Sequence, residues 1–211
     1  MKTIGVLALQ GAFQAHRAHI EALGCQYRSV RNRKDFMDLD GLIIPGGESS
    51  TMLKLLKVLE MEDALAEALE KLPAWGICAG AILMSAEVLG RSQKSFAAVE
   101  ISISRNAYGR QLDSFCTEID SYEVAFIRAP ILEDPLDSRV EVLSRFNDKA
   151  VWVRQGNKML TSFHPEINPQ LPSPMHRYFI ENLVGTSASE TQPRVRDEAV
   201  SDPTPWSAPT P

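Results

Sequence analysis

The chain has 211 residues, 44% of them hydrophobic, which is enough for one sizeable core and too short for two comfortable domains. A formal net charge of −5 and the lack of any basic run argue against nucleic acid or an anionic membrane surface as the main partner, and no apolar stretch approaches the length of a membrane span. Three scattered cysteines, Cys25, Cys78 and Cys116, suit a reducing cytoplasm better than a disulfide framework or a zinc site.

Residues 3–9 form an apolar strand without a signal-peptide pattern. Residues 13–23 follow as a helix stopped by Gly24. Two further strands cover 25–30 and 41–44, the second ending in Pro45-Gly46-Gly47. A helix over 49–59 places Met52, Leu55, Leu56 and Leu59 on one face. A second amphipathic segment, 64–72, leads to a short strand over 72–75, and residues 81–86 are again helical. This alternation predicts an α/β fold of three layers, a mostly parallel central sheet with helices on both faces. From residue 99 the character changes. Residues 99–104, 114–119, 124–128, 140–146, 150–154 and 158–162 read as strands, with Asn147-Asp148 and Gly156-Asn157 as hairpin turns, so antiparallel strands join the sheet in the second half. Residues 175–183 are a closing helix that docks Tyr178, Phe179 and Leu183. The expected domain is 1–186. Residues 187–211, rich in Ser, Thr, Pro and charge, are expected to be a disordered tail, with Trp206 its one large apolar group.

Gly76-Ile77-Cys78-Ala79-Gly80 stands between the strand over 72–75 and the helix over 81–86. Strand, G-x-C-x-G, helix is the cysteine form of a nucleophile elbow, in which a strained turn holds the reactive side chain above the sheet. The glycines are needed where a Cβ would strike the neighbouring strand or helix. A core cysteine in a strand-to-helix turn would give the same five residues. A thiolate needs a base, and the base needs an orienting acceptor. Of the four histidines, His16, His19 and His176 lie on helices and read as surface residues. His164 follows a strand in Phe163-His164-Pro165-Glu166, at the sheet edge where open α/β folds bind ligands. Glu166 can accept from the other imidazole nitrogen and fix the tautomer. As a bare motif the segment is also a polar turn; together with the elbow it makes a Cys–His–Glu triad. Acyl transfer further needs oxyanion donors. The backbone N–H of Ala79 is one, and the loop Pro45-Gly46-Gly47-Glu48-Ser49-Ser50 is the source of a second, unless it is only a glycine-rich turn before a helix capped by Ser49. Glu48 has no evident helix-face partner and suits an α-ammonium group.

The elbow, the Phe163-His164-Pro165-Glu166 segment and the Pro-Gly-Gly loop resemble the class I, triad-type glutamine amidotransferases. Residues 7–12, 42–51, Arg105-Asn106-Ala107-Tyr108-Gly109-Arg110-Gln111, Phe126-Ile127-Arg128-Ala129-Pro130 and 161–166 narrow the likeness to the glutaminase subunits of pyridoxal 5′-phosphate synthase, over about residues 1–184. The resemblance implies a cytoplasmic enzyme, hydrolase and lyase, that converts L-glutamine to L-glutamate and ammonia. The ammonia passes to a (β/α)₈-barrel synthase subunit in a large hetero-oligomer, with no resident cofactor or metal. It implies Cys78 as nucleophile, His164 as base then acid, Glu166 as its orienter, and Gly47 and Ala79 as oxyanion donors. Gly46, Gly47, Glu48, Ser49, Arg105 and Arg128 then hold glutamine, and Gln10 lies by the loop that rearranges when the partner docks. The sequence departs from the family pattern at Ile77, usually threonine, at 96–99 and at 168–175. An amidotransferase subunit of another pathway and a non-catalytic regulator are the alternatives on the same fold.

Overall fold

The computed structural model describes residues 1–90, 92–105, 114–135 and 137–185, together with the backbone of Thr204–Pro205. The first half runs β1 (Thr3–Leu7), α1 (His16–Ala22), β2 (Gln26–Val30), β3 (Gly41–Ile44), α2 (Ser49–Val58), α3 (Glu62–Lys71), β4 (Ala74–Ile77) and α4 (Ala79–Met84). The second half adds β5 (Ser85–Leu89), β6 (Val99–Ser104), β7 (Ser114–Ile119), β8 (Tyr122–Ile127), β9 (Ile131–Leu132), β10 (Glu141–Phe146), β11 (Lys149–Gln155), β12 (Lys158–Thr161) and α5 (Pro174–Tyr178).

The main sheet has the order β2-β1-β3-β4-β12-β11-β9-β6-β5, with β10 paired to β11. The five strands from β2 to β12 are parallel, and β11 and β10 continue the sheet antiparallel. β7 and β8 form a separate antiparallel ribbon, to which Thr204–Pro205 adds a short strand. The rest of the segment 187–211 lies outside the described residues. Both faces of β1, β3, β4 and β12 are buried, so side chains of alternating sign of pleat enter two different cores. Leu42 and Ile44 of β3 join Met52, Leu56, Leu65 and Leu69 from α2 and α3. Ile43 joins Ile4, Trp75, Phe163 and the α1 and α5 side chains Ile20 and Met175. These are the three expected layers.

Several boundaries differ from the sequence reading. β1 stops at Leu7, and the strand before Cys78 is Ala74–Ile77 instead of 72–75, because Leu72 closes α3 and Pro73 begins the crossover. The buried face of α2 is Met52 and Leu56, while Leu59 is 45% exposed past the helix end. Residues 85–89, partly read as helix, are the edge strand β5, and the two-residue β9 is too short to carry a pattern. The closing helix is α5 followed by a π-helical stretch, Phe179–Val184, which still buries Phe179 and Leu183. The turns Asn147-Asp148 and Gly156 have positive φ, as two-residue hairpins require. No helix of the described residues is long and apolar enough to cross a membrane.

Register places the site. Ile44 pairs with Gly76, and Ile77 pairs with Thr161. The carboxyl ends of β3, β4 and β12 therefore deliver the loop after Ile44, Cys78 and His164 to one edge of the sheet.

Candidate active site

Cys78 occupies the turn between β4 and α4 with φ 49° and ψ −102°, a conformation that L-residues adopt only at a cost. A Cβ at Gly76 would lie 2.7 Å from the Gly80 backbone, and one at Gly80 would land on the Ile44 carbonyl. The G-x-C-x-G spacing is thus dictated by contact of strand, helix and neighbouring strand. Cys78 is 6% exposed, its backbone N–H donates to Thr161 O at 2.8 Å, and its Sγ lies 3.9 Å from the Ile127 carbonyl. Ile77, the departure next to it, is fully buried in the core.

His164 is fixed by a backbone hydrogen bond to Ala125 O at 2.8 Å, where β8 passes the end of β12. Its Nδ1 lies 2.7 Å from Oε1 of Glu166, whose side chain is wholly buried in the short 3-10 turn Pro165–Ile167. An acceptor on Nδ1 places the proton there and leaves Nε2 for the Cys78 sulfur, whose nearness helps to raise the His164 pKa. Burial opposes charge on His164, yet the Glu166 carboxylate, the Cys78 sulfur and the hydrogen bond to Glu166 hold its pKa well above the ordinary value. Burial likewise opposes charge on Glu166, and the His164 charge and hydrogen bond hold it below the usual carboxylate value. A thiol, an imidazole and a carboxylate in this series can carry out nucleophilic attack on an acyl carbon.

The Pro-Gly-Gly loop closes against this series. A side chain at Gly46 would occupy the His164 ring position, so the loop approaches as near as backbone can. Glu48 is the N-cap of α2 in place of Ser49: its carboxylate accepts from Ser50 N–H at 3.3 Å, and also takes Arg105 Nη2 and Ser50 Oγ, both at 2.9 Å. Burial alone would raise the Glu48 pKa; the Ser50 hydrogen bonds and Arg105 outweigh it and lower it. The Glu48 backbone N–H donates to Gln10 Oε1 at 2.7 Å, which ties the loop to the end of β1. Arg128 is held at φ 45° just beyond β8 and, among the described residues, has no ion pair.

Gln10, Gly46, Gly47, Glu48, Ser49, Cys78, Ala79, Arg105, Arg128 and His164 all line one cavity of about 330 Å³. Every site residue read from sequence is therefore in the cavity wall except Glu166, which lies behind His164. Two participants were missed. Gln93 bridges Arg105 and Ser49 from a loop without a motif, and the Ile127 carbonyl faces the sulfur. The reading of His16, His19 and His176 as surface residues is wrong: they are 0%, 1% and 0% exposed. The signal was present, because His16, His19 and Ile20 follow an i, i+3, i+4 stripe on α1, the pattern of a buried face. Segments 106–113 lie outside the described residues, so the expected Arg-Asn-Ala-Tyr-Gly-Arg-Gln motif is placed only at Arg105.

Comparison with known proteins matches residues 6–185 to the model of the SNO glutamine amidotransferase family. A protein of Haemophilus influenzae (strain PittEE) named pyridoxal 5′-phosphate synthase subunit PdxT is 42% identical over 188 residues, covering 84% of this chain and 96% of that protein. The protein of the same name from Kosmotoga olearia is 41% identical, covering 86% of this chain and 98% of that one. A solved structure described as a glutamine amidotransferase superposes with a TM-score of 0.76 at 40% identity, over 87% of this chain and 99% of the other.

Proposed function

Since the chain belongs to the SNO glutamine amidotransferase family, we propose that it is the glutamine-hydrolysing subunit of a pyridoxal 5′-phosphate synthase. In this reading it releases ammonia for a (β/α)₈-barrel partner subunit within a hetero-oligomer in the cytoplasm. Its own chemistry is that of a hydrolase and not of a lyase; ring assembly belongs to the partner. The observation that carries the reading is the Cys78, His164 and Glu166 series beside a cavity of amino-acid size, with Glu48, Arg105 and Arg128 in its wall.

His164 takes the thiol proton, and the Cys78 sulfur attacks the side-chain amide carbon of glutamine. The carbonyl oxygen becomes an oxyanion and is received by the backbone N–H groups of Gly47 and Ala79. The imidazolium, held by Glu166, then protonates the departing nitrogen, and ammonia leaves a γ-glutamyl thioester. Water, deprotonated by the same imidazole, attacks the thioester and frees glutamate. Glu48 pairs with the substrate α-ammonium, and Arg105 and Arg128 with its carboxylate; Gly46 and Ser49 shape that end of the cavity. Gln10 holds the Gly47–Glu48 segment until the partner docks.

The test is glutamate release measured with and without an added pyridoxal 5′-phosphate synthase barrel subunit. We expect release to rise with partner and to vanish in Cys78→Ala. Undiminished release by Cys78→Ala in the presence of partner would sink the proposal.

A further inference from the structure

Three buried histidines lie outside the cavity and have no part in the reaction just described. Nδ1 of His16 is 2.9 Å from Nε2 of His176, and Nδ1 of His176 is 2.6 Å from Oγ of Ser173. The Ser173 backbone N–H donates to Nδ1 of His19 at 3.0 Å, and the His19 and His176 rings stack with centroids 4.3 Å apart. The Glu166 backbone in turn faces His19 and opposes the burial that lowers its pKa. The chain of contacts thus runs from α1 through α5 to the turn that carries the carboxylate.

Polar rings buried beside Trp75 and Phe179 are costly unless each is satisfied, and apolar side chains would fill this space without that cost. The turn Pro165–Ile167 has three residues and cannot fix a side chain by itself. Its carboxylate needs a support from outside. Moreover Nε2 of His16 and Oε2 of Glu166 are both buried without a hydrogen-bond partner among the described residues, and each group alters the other's charge balance.

We propose that His16, His19 and His176, joined through Ser173, are a positioning network that fixes Glu166 and, through it, the ring of His164. Neutral rings suit this task. Burial holds His16 down at about 4 and His176 well below its ordinary value, so at neutral pH the groups facing His16 comprise two neutral imidazoles, His19 and His176, and the Glu166–His164 pair. A cation at His16 would compete with His164 for the one carboxylate. The network keeps that charge undivided.

The catalytic readout rests on the glutaminase reading; a second readout does not. His16→Asn keeps a polar atom near Nδ1 and deletes Nε2, whereas His16→Gln retains a polar atom near Nε2. With synthase partner present, we expect His16→Asn to lower kcat about 10- to 100-fold with KM for glutamine within about twofold, and His16→Gln to recover most of the loss. Alkylation of Cys78 by iodoacetamide, followed against pH in the same proteins, should move to higher pH in His16→Asn and return in His16→Gln. A folded His16→Asn protein with wild-type kcat and a wild-type alkylation profile overturns the proposal. If His16→Asn does not fold, Ser173→Ala, which removes the hydroxyl from Nδ1 of His176 and keeps the backbone N–H to His19, decides by the same two measurements. If wild type itself releases no glutamate with partner, the glutaminase reading fails, and the alkylation profiles alone decide the network.

Discussion

Glu166→Gln is the sharpest test of how the site is powered, because it removes one charge and almost no volume. The carboxylate oxygen is 2.7 Å from Nδ1 of His164, and the two side chains are 0% and 7% exposed, so solvent screening is slight. With charge centres about 4 Å apart and an effective dielectric of about 20, the pair is worth about 4 kcal/mol to an imidazolium. At 1.4 kcal/mol per decade that is about a thousandfold in the charged form of His164, and kcat/KM for glutamine should fall by about that factor. The neutral amide can still accept from Nδ1–H, so the fold should lose only about 1–3 kcal/mol, and the burial of a charge relieved offsets part of it. The sign with pH follows from both partners. His164 is raised above 6.5, so its stabilisation is complete below 6.5 and fades as pH climbs through the raised value. Glu166 is lowered from 4.5, so its share is present above 4.5 and lost as pH falls through the lowered value. The stability gap between wild type and Glu166→Gln should therefore be widest between 4.5 and 6.5, as read by urea midpoints. A folded variant that keeps more than about a tenth of wild-type kcat/KM would refute the reasoning.

His16 titrates in the opposite sense: its folded pKa of about 4 lies below 6.5, so the unfolded chain binds the extra proton and stability drops as pH falls from 6.5 to 4. The drop at this one group is about 3 kcal/mol, and the urea midpoint of His16→Asn should be correspondingly less acid-sensitive than wild type. Gly80→Ala puts a methyl on the Ile44 carbonyl and should lower stability by about 1–3 kcal/mol or more by thermal melting, with loss of glutamate release. Arg128→Gln should raise KM for glutamine about 10- to 100-fold with little change in the melting temperature, since among the described residues Arg128 has no ion pair to lose. Gln10→Ala frees the Glu48 backbone N–H and should raise release without partner by up to about tenfold in the same assay.

The parallel half of the fold was legible because each strand is bounded by a turn signal and filled with side chains that both cores accept, as with Leu42, Ile43 and Ile44. Turn chemistry was equally plain: Asn147, Asp148 and Gly156 adopt the positive φ their types suggested. The arrangement of Cys78, His164 and Glu166 was legible because its spacing is forced by contact, at Gly76 and Gly80 by backbone and at Gly46 by the His164 ring. What escaped were features that only tertiary pairing creates. β5 is an edge strand without regular alternation, burying only Ser85 and Val88 and broken in register against β6 between Ser85 and Glu87, and β9 is two residues long. Gln93 carries no motif and is recruited by Arg105 and Ser49. The histidines were misread because a polar residue on a helix is ordinarily outside; here Nδ1 of His16, Nδ1 of His19 and both nitrogens of His176 are met by another ring or by Ser173, which no local rule anticipates.

The resting arrangement of the cavity follows from the same bookkeeping of polar groups. Glu48 and Arg105, read as the two ends of a zwitterion clamp, hold each other at 2.9 Å, and the Glu48 backbone N–H is held by Gln10 at 2.7 Å. With Glu48 43% exposed, the ion pair is screened and worth about 1 kcal/mol or less. The neutral bond to Gln10 adds about 1 kcal/mol. Together they favour the tied loop by about 2 kcal/mol, roughly a thirtyfold population. A glutamine that brings an ammonium and a carboxylate replaces the ion pair with two charge-assisted contacts and loses little. It offers nothing to the Glu48 N–H held by Gln10. That bond is on the backbone beside Gly47, out of reach of the substrate's charges, and its release falls to whatever docks against the end of β1. Under the proposed function, substrate affinity and activation would rest on different contacts, the first on the Glu48–Arg105 exchange and the second on Gln10.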